Sequence, residues 1–240
     1  MTLSNRKILR TLLCLLAGTL YAVCLSACDA KEPLSENRDA EIESPVIAND
    51  LSNQKVTAIA EDTQGHIWIG TFRGLNKNNV HDYHQYFCTD DSLGLPDNQI
   101  THLLRDSKNR FWVGTVNGVC LYTDKDNFRI IPIEADNKNV RQILEDRNGR
   151  IFLNTGFQLY AYHPREEKIT CVLPEISPGN AFYAQCHIAP DNNLWVMTST
   201  GLRCYDPSTL QLKESVALSG YPYYSYLHNN ELWITGNHTL

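Results

Sequence analysis

From Leu51 to Gly236 the chain alternates short apolar runs with clusters of Gly, Asn, Asp and Lys. No apolar stripe of helical period persists over several turns, whereas β-branched and aromatic runs between turn signals are the mark of strands. The runs recur. "IWIGTFRGLN" at residues 67–76 returns as "FWVGTVNGVC" and again as "LWVMTSTGLRC". The aromatic anchors of the recurring run are Trp68, Trp112, Phe152, Trp195 and Trp233, spaced by 44, 40, 43 and 38 residues. That spacing is the period of propeller blades, about 40–50 residues.

The flanks keep step with the anchors. Three residues before each anchor stand Gly65, Asn109, Gly149, Asn192 and Asn230, residue types that tolerate the positive φ of a tight hairpin. Nine residues before lie Ile59, Leu103, Ile143, Cys186 and Tyr224; three after lie Thr71, Thr115, Thr155 and Thr198. Each unit therefore predicts a strand, a Gly or Asn turn, the anchor strand, a short loop, a "GL" strand and a looser fourth strand such as "FRIIPI" or "KITCVL". The fold class is all-β: a β-propeller of four-stranded antiparallel blades. The blades fall at about 51–94, 95–136, 137–178, 179–220 and 221–240. The last lacks its third strand, so about four and a half blades are present and the propeller is incomplete. Along the anchor strand Trp68 and Gly70 share a side, which assigns the Trp to buried area and the missing Cβ to a close approach by the next blade. Asn154, Met197 and Thr235 replace that Gly later, so packing there must differ.

The first fifty residues follow another logic. A basic start (Arg6, Lys7, Arg10) precedes an apolar run from Thr11 to Leu25, too short for a span of about 20 residues and suited to a signal-peptide core. It ends in "LSAC", which resembles a bacterial lipobox and makes Cys28 the candidate lipidation site. Residues 1–28 are read as the leader and 29–50, acidic and without aromatics, as a flexible linker. The expected location is the periplasm or cell envelope, with the membrane reached through the lipid or signal anchor.

Charge and cysteines narrow the chemistry. With the leader removed, 18 basic residues face 27 acidic ones, a balance that repels phosphate backbones and argues against nucleic acid as a partner. Cys88, Cys120, Cys171, Cys186 and Cys204 remain after the leader; they are odd in number, lack metal-site spacing and read as small buried thiols. No carboxylate pair, nucleophile elbow or phosphate loop stands out, and no cofactor is implied. His81 and His84 in "HDYH" lack the further partners a metal would need. His102 and His187 fall in innermost strands, where they line the central channel or pack in the core.

"LSNQKVTAIAEDTQGHIWIGTFRGLNKNN" closely resembles the two-component regulator propeller repeat, and "LPDNQITHLLRDSKNRFWVGTVNGVCLY" matches nearly as well. The third unit keeps "ILEDRNGRIFLNT", and the last two are degenerate. The resemblance implies an extracytoplasmic sensor propeller of a hybrid two-component regulator. Such regulators respond to carbohydrate fragments and join their propellers to a histidine kinase that this chain lacks. The expected reading is a non-enzymatic fragment of such a sensor, completed by further blades and kinase domains or associating with itself. A stand-alone lipoprotein that binds glycan or protein is the alternative, and a propeller lyase using channel histidines is a third.

The predicted topology gathers Lys55, Arg73, Asn98, Asn117, Asn139 and Phe157, with Phe182 and Thr200, on the face opposite the Gly/Asn turns. Stacking rings, amides and a guanidinium are what an oligosaccharide would use.

Overall fold

The structure is a computed structural model; it describes residues 45–89, 94–123, 126–176, 184–199, 201–218, 221–228 and 231–237. The leader, Cys28, Phe182, Thr200 and Asn230 lie outside the described residues, as does the linker up to residue 44.

Among the described residues there are nineteen strands in five antiparallel sheets. The first sheet holds β1 (Val46–Ala48), β2 (Val56–Glu61), β3 (Ile67–Thr71), β4 (Gly74–Asn79) and β5 (Asp82–Tyr86), in the order β1-β5-β4-β3-β2. The second is β6 (Ile100–Arg105), β7 (Phe111–Thr115), β8 (Gly118–Tyr122) and β9 (Phe128–Ile131). The third is β10 (Gln142–Glu145), β11 (Ile151–Asn154), β12 (Leu159–His163) and β13 (Lys168–Leu173). The fourth is β14 (Gln185–Ile188), β15 (Leu194–Thr198), β16 (Gly201–Tyr205) and β17 (Leu212–Ala217). The fifth pairs only β18 (Tyr221–His228) with β19 (Glu231–Asn237). Apart from β1, the strands of each sheet run as a simple meander, and β2, β6, β10, β14 and β18 follow one another as neighbours along the inner line of the array. One boundary moves. Val46–Ala48, inside the stretch read as linker, pairs with β5 in the register Val46↔Gln85 to Ala48↔Tyr83 and adds a fifth strand to blade one. Blade one's outer edge would otherwise be bare, and the "VIA" run has the β-branched character to cover it.

The hairpin between the first two strands of each blade explains the Gly/Asn series. Gly65, Asn109, Gly149 and Asn192 all have positive φ, between 62° and 85°. Beneath each of the first three turns sits a buried aspartate that sequence reasoning had left without a job. Asp106 Oδ1 accepts from the Lys108 and Arg110 amides at 3.0 and 2.9 Å. Its Oδ2 accepts from Arg110 Nε at 2.6 Å and from the Trp112 indole at 2.8 Å. Asp62 does the same for Gln64, His66 and Trp68, the indole lying 2.9 Å away. Burial pushes the Asp62 carboxyl up, but these donors outweigh it and hold its pKa below the usual carboxylate range. Asp146 keeps the amides of Asn148 and Arg150 and the Arg150 Nε contact, without the indole that Phe152 lacks. Blade four has Ala189 at this position, and its Trp195 is half-buried where Trp68 and Trp112 are fully buried.

Three hydrophobic clusters lie between adjacent blades and share one polarity. The anchor side of blade one (Trp68, Leu75, Tyr86) packs on the opposite side of blade two (Leu103, Phe111, Val113). Trp112 meets Ile143, Leu153 and Tyr162 of blade three, and Phe152 meets Val196 and Tyr205 of blade four. The close approach inferred for the anchor-strand glycine is present: a Cβ on Gly70 would stand 2.6 Å from Ile100, and one on Gly114 3.1 Å from Val140. In blade three Asn154 fills this space and donates across the interface to the Ala184 carbonyl and, within its own blade, to Gln142 Oε1, both at 2.7 Å.

Of the five cysteines after the leader, Cys120, Cys186 and Cys204 are buried, and Cys88 and Cys171 are exposed. Burial pushes the Cys186 thiol up to about 12.

Asp106→Ala strands the Trp112 indole and two turn amides in a buried setting and should cost about 2–4 kcal/mol. Gly70→Ala, which crowds Ile100, should cost about 1–3 kcal/mol. Urea unfolding followed by tryptophan fluorescence measures both; an Asp106→Ala variant as stable as the parent would refute the role given to the carboxylate.

Candidate functional site

The rim opposite the hairpin turns is built from two kinds of loop. One follows each anchor strand, at residues 72–73, 116–117 and 156–157; the other leads into each innermost strand. Backbone hydrogen bonds stitch them together, from Phe72 N to Lys55 O, Gly74 N to Asn98 O, Val116 N to Gln99 O and Ala184 N to Gly156 O. The threonine that closes each anchor strand sets the loop: Thr71, Thr115, Thr155 and Thr198 donate to the carbonyl three residues on, at 2.8–3.2 Å.

All six candidate residues stand on this rim, each in a different condition. Arg73 and Asn117 are exposed, with their amides fixed on Thr71 and Thr115. Lys55 is also exposed, its ammonium 3.7 Å from the centre of the Phe72 ring. Phe157 shows 42% of its surface, and its carbonyl accepts from Ile176. Asn98 is a clamp, its Oδ1 accepting from the Cys88 amide at 2.7 Å. Asn139 Oδ1 is buried without a hydrogen-bond partner. Lys55, Asn98 and Asn139 come from the lead-in loops and Arg73, Asn117 and Phe157 from the loops after the anchor strands. The rim thus spans three blades.

A cavity of about 470 Å³ opens among the first residues of the innermost strands and is lined by Thr57, His102, Arg141, Gln142, Gln185, His187 and Tyr223–Tyr226. A ladder of side chains steps around it. His102, Gln142 and Gln185 occupy equivalent positions of β6, β10 and β14, ten residues before their anchors. Gln142 Oε1 accepts from the Cys186 amide of the next blade at 2.9 Å, and Gln185 Oε1 from the Ser225 amide at 2.6 Å. His187 Nε2 meets Ser225 Oγ at 2.7 Å. Burial lowers the pKa of His102, against a hydrogen bond with the Ile143 backbone that pulls the other way, and burial lowers that of His187 as well. Both rings are held neutral at pH 7. Among the described residues no three His, Cys, Asp or Glu converge as metal donors. His81 and His84 are remote from this cavity, on the turn before β5 and on β5 itself.

Sequence reasoning left His102 and His187 open between the channel and the core, and it missed Arg141, the two glutamines and the tyrosines of β18. The signal was available as the column ten residues before the anchor, where His102, Gln142 and Gln185 replace the Ala58 of blade one.

Residues 50–73 and 94–117 match the family model described as two component regulator propeller. The matched segments cover the first hairpins of blades one and two. Among curated proteins none matches the chain. Its fold is similar to the extracellular domain of a protein named as a hybrid two component system of B. thetaiotaomicron, with 21% identity and a TM-score of 0.60 over 76% of this chain and 26% of that one. It is also similar to virginiamycin B lyase from Staphylococcus aureus, with 18% identity and a TM-score of 0.60 over 80% of this chain and 67% of the lyase. This propeller thus spans about a quarter of the first neighbour and two-thirds of the second.

A histidine whose native pKa lies below its unfolded value binds fewer protons when folded, so its contribution is present above the unfolded pKa and fades as pH falls. The melting temperature should therefore drop between pH 7 and pH 5, beyond what the carboxylates contribute. A His102→Gln, His187→Gln double variant should show a smaller drop in the same scan. An equal drop in both proteins would contradict the assignment.

Proposed function

We propose that this propeller is the ligand-sensing module of an extracytoplasmic receptor, binding rather than transforming its ligand, and that its signal is passed to a histidine kinase outside this chain. The match of two units to the repeat model and the extracellular domain of a hybrid two component system among its structural neighbours support the reading. The ligand is a carbohydrate fragment taken at the rim, and the leader with Cys28 holds the module at the cell envelope. One observation carries the ligand site: the polar rim and the 470 Å³ cavity open at the same end of the array. There the exposed Arg73 and Asn117, the Phe157 ring and the half-exposed tyrosines of β18 offer forks and stacking faces. Sugars are recognised by that combination of bidentate polar contacts and aromatic platforms.

Calorimetric titration of the chain with a panel of acidic and neutral oligosaccharides tests the site. A fragment that binds the parent should bind an Arg73→Ala, Asn117→Ala double variant at least about tenfold more weakly, a loss of about 1.4 kcal/mol. Unchanged affinity would remove the rim from consideration.

A lyase is the second reading, favoured by His102 and His187 lining one cavity and by the lyase among the fold's neighbours. His187, however, spends its Nε2 on Ser225. Incubation with a streptogramin B antibiotic should leave the antibiotic intact; turnover lost on changing either histidine would overturn the sensor reading.

A further inference from the structure

The residue two places before each anchor decides what covers the anchor ring. In blades two and three it is an arginine. The Arg110 guanidinium lies 5.1 Å from the Trp112 ring and 5.2 Å from that of Tyr162 on the next blade, with its Nε 2.6 Å from Asp106. Arg150 repeats the arrangement 5.4 Å from Phe152, its Nε 3.1 Å from Asp146. In both places the cation over the ring is neutralised by the aspartate of its own turn.

Blade one departs from this pattern. His66 stands at the arginine position, its Nδ1 3.1 Å from Asp62, and the cation comes instead from β4. Lys77 Nζ lies 5.3 Å from the Trp68 ring and 5.4 Å from that of Tyr122. Among the described residues no carboxylate stands within ion-pair distance of Lys77, and its ammonium donates to the Tyr122 hydroxyl at 3.4 Å. Beside it a cleft of about 380 Å³ opens between the first hairpins of blades one and two, within the size range of small-molecule sites. Lys77, Arg105, Gln64 and Asn109 bring donors to its wall, and Phe111 and Tyr122 bring rings. Arg105 gives Nη1 to the Asp62 carbonyl at 2.9 Å, one bond from a group with five N–H donors. The carboxylates of the wall are engaged with the protein. Asp62 takes two amides, an imidazole and an indole, and Asp126 Oδ1 accepts from the Tyr86 and Tyr122 hydroxyls at 2.6 and 2.9 Å. Donors and positive charge are therefore what the cleft has to spare.

We propose that this cleft is a binding site for a small polyhydroxy carboxylic acid. Its carboxylate sits on Lys77 and Arg105, its hydroxyls take the side-chain amides of Gln64 and Asn109, and its body lies against the Tyr122 ring. A neutral sugar of the same size leaves both cations without a counter-charge. The cleft is lined wholly by blades one and two, on the face opposite the rim, and the proposal is independent of the ligand reading above.

Glucuronate is the probe and glucose its neutral counterpart, because the two differ only in the carboxylate. In calorimetric titrations of the full chain, glucuronate should bind saturably and glucose at least about tenfold more weakly. Lys77→Met, which keeps the length of the stem, and Arg105→Gln, at an exposed position, should each weaken glucuronate at least about tenfold, whereas Lys77→Arg should retain most of the affinity. Melting temperatures near the parent's confirm that the variants fold. The Arg73→Ala, Asn117→Ala variant should bind glucuronate as the parent does. Loss of binding in that variant, with Lys77→Met unaffected, would place the acid at the rim and overturn the proposal. Equal affinity for glucose, or no saturable binding of glucuronate, would overturn it as well.

Discussion

The grip of a buried carboxylate on an indole, inside a five-residue turn, is the constraint on which the first half of the molecule rests. Asp62 and Asp106 each bind two backbone amides of their own hairpin and the ring nitrogen of the tryptophan on the returning strand. A tryptophan buried without a partner for its N–H would forfeit part of what its apolar area contributes. The aspartate removes that penalty and fixes the ring's rotamer. The ring, held flat between sheets, can then be packed from the other side by the next blade. Local turn chemistry and long-range packing are one device here, since the residue that shapes the hairpin also orients the side chain that joins the blades. Where the aspartate is missing, as at Ala189, the indole of Trp195 loosens toward solvent.

From that device follows the direction of the array. Every interface sets the anchor side of one blade against the other side of the next, so the two ends of the described arc differ in kind. Blade one ends in aliphatics, with Ile59 and Ile67 exposed at 65% and 39%, and blade five ends in aromatics, with Trp233 uncovered. The same direction governs the polar ladder around the inner cavity, where Gln142 and Gln185 each reach forward and never back. The cavity's lining is therefore shared property: no blade furnishes it alone, and its geometry depends on how neighbouring sheets are set.

Much of this was legible before any coordinates. The period, the turn residues with positive φ, the four strands per unit and the close approach at Gly70 are all local or nearly local consequences of residue type. The rim residues followed from topology alone, which is why all six fall on one end. What could not be read was side-chain interaction, within a unit or across units. The aspartate column was visible as sequence, yet its bond to the indole depends on a side-chain rotamer that strand periodicity does not encode. The glutamines were missed for a related reason: their role is defined by the backbone of the next blade. Asn98 illustrates the reverse, an exposed-looking amide whose oxygen is consumed in fastening a loop. The strand at Val46–Ala48 was hidden by its setting, three apolar residues in an acidic stretch.

That outer strand has a mechanical consequence. Tension applied to the chain ahead of Val46 enters the molecule through β1, which lies alongside β5 at the periphery of blade one and not at its centre. Three residue pairs are a weak seam, so a pull would peel β1 away before it disturbed the sheets themselves. The short strand is thus a mechanical fuse: it yields first, and stripping it frees about 10 Å of chain while the four strands behind it keep their pairing.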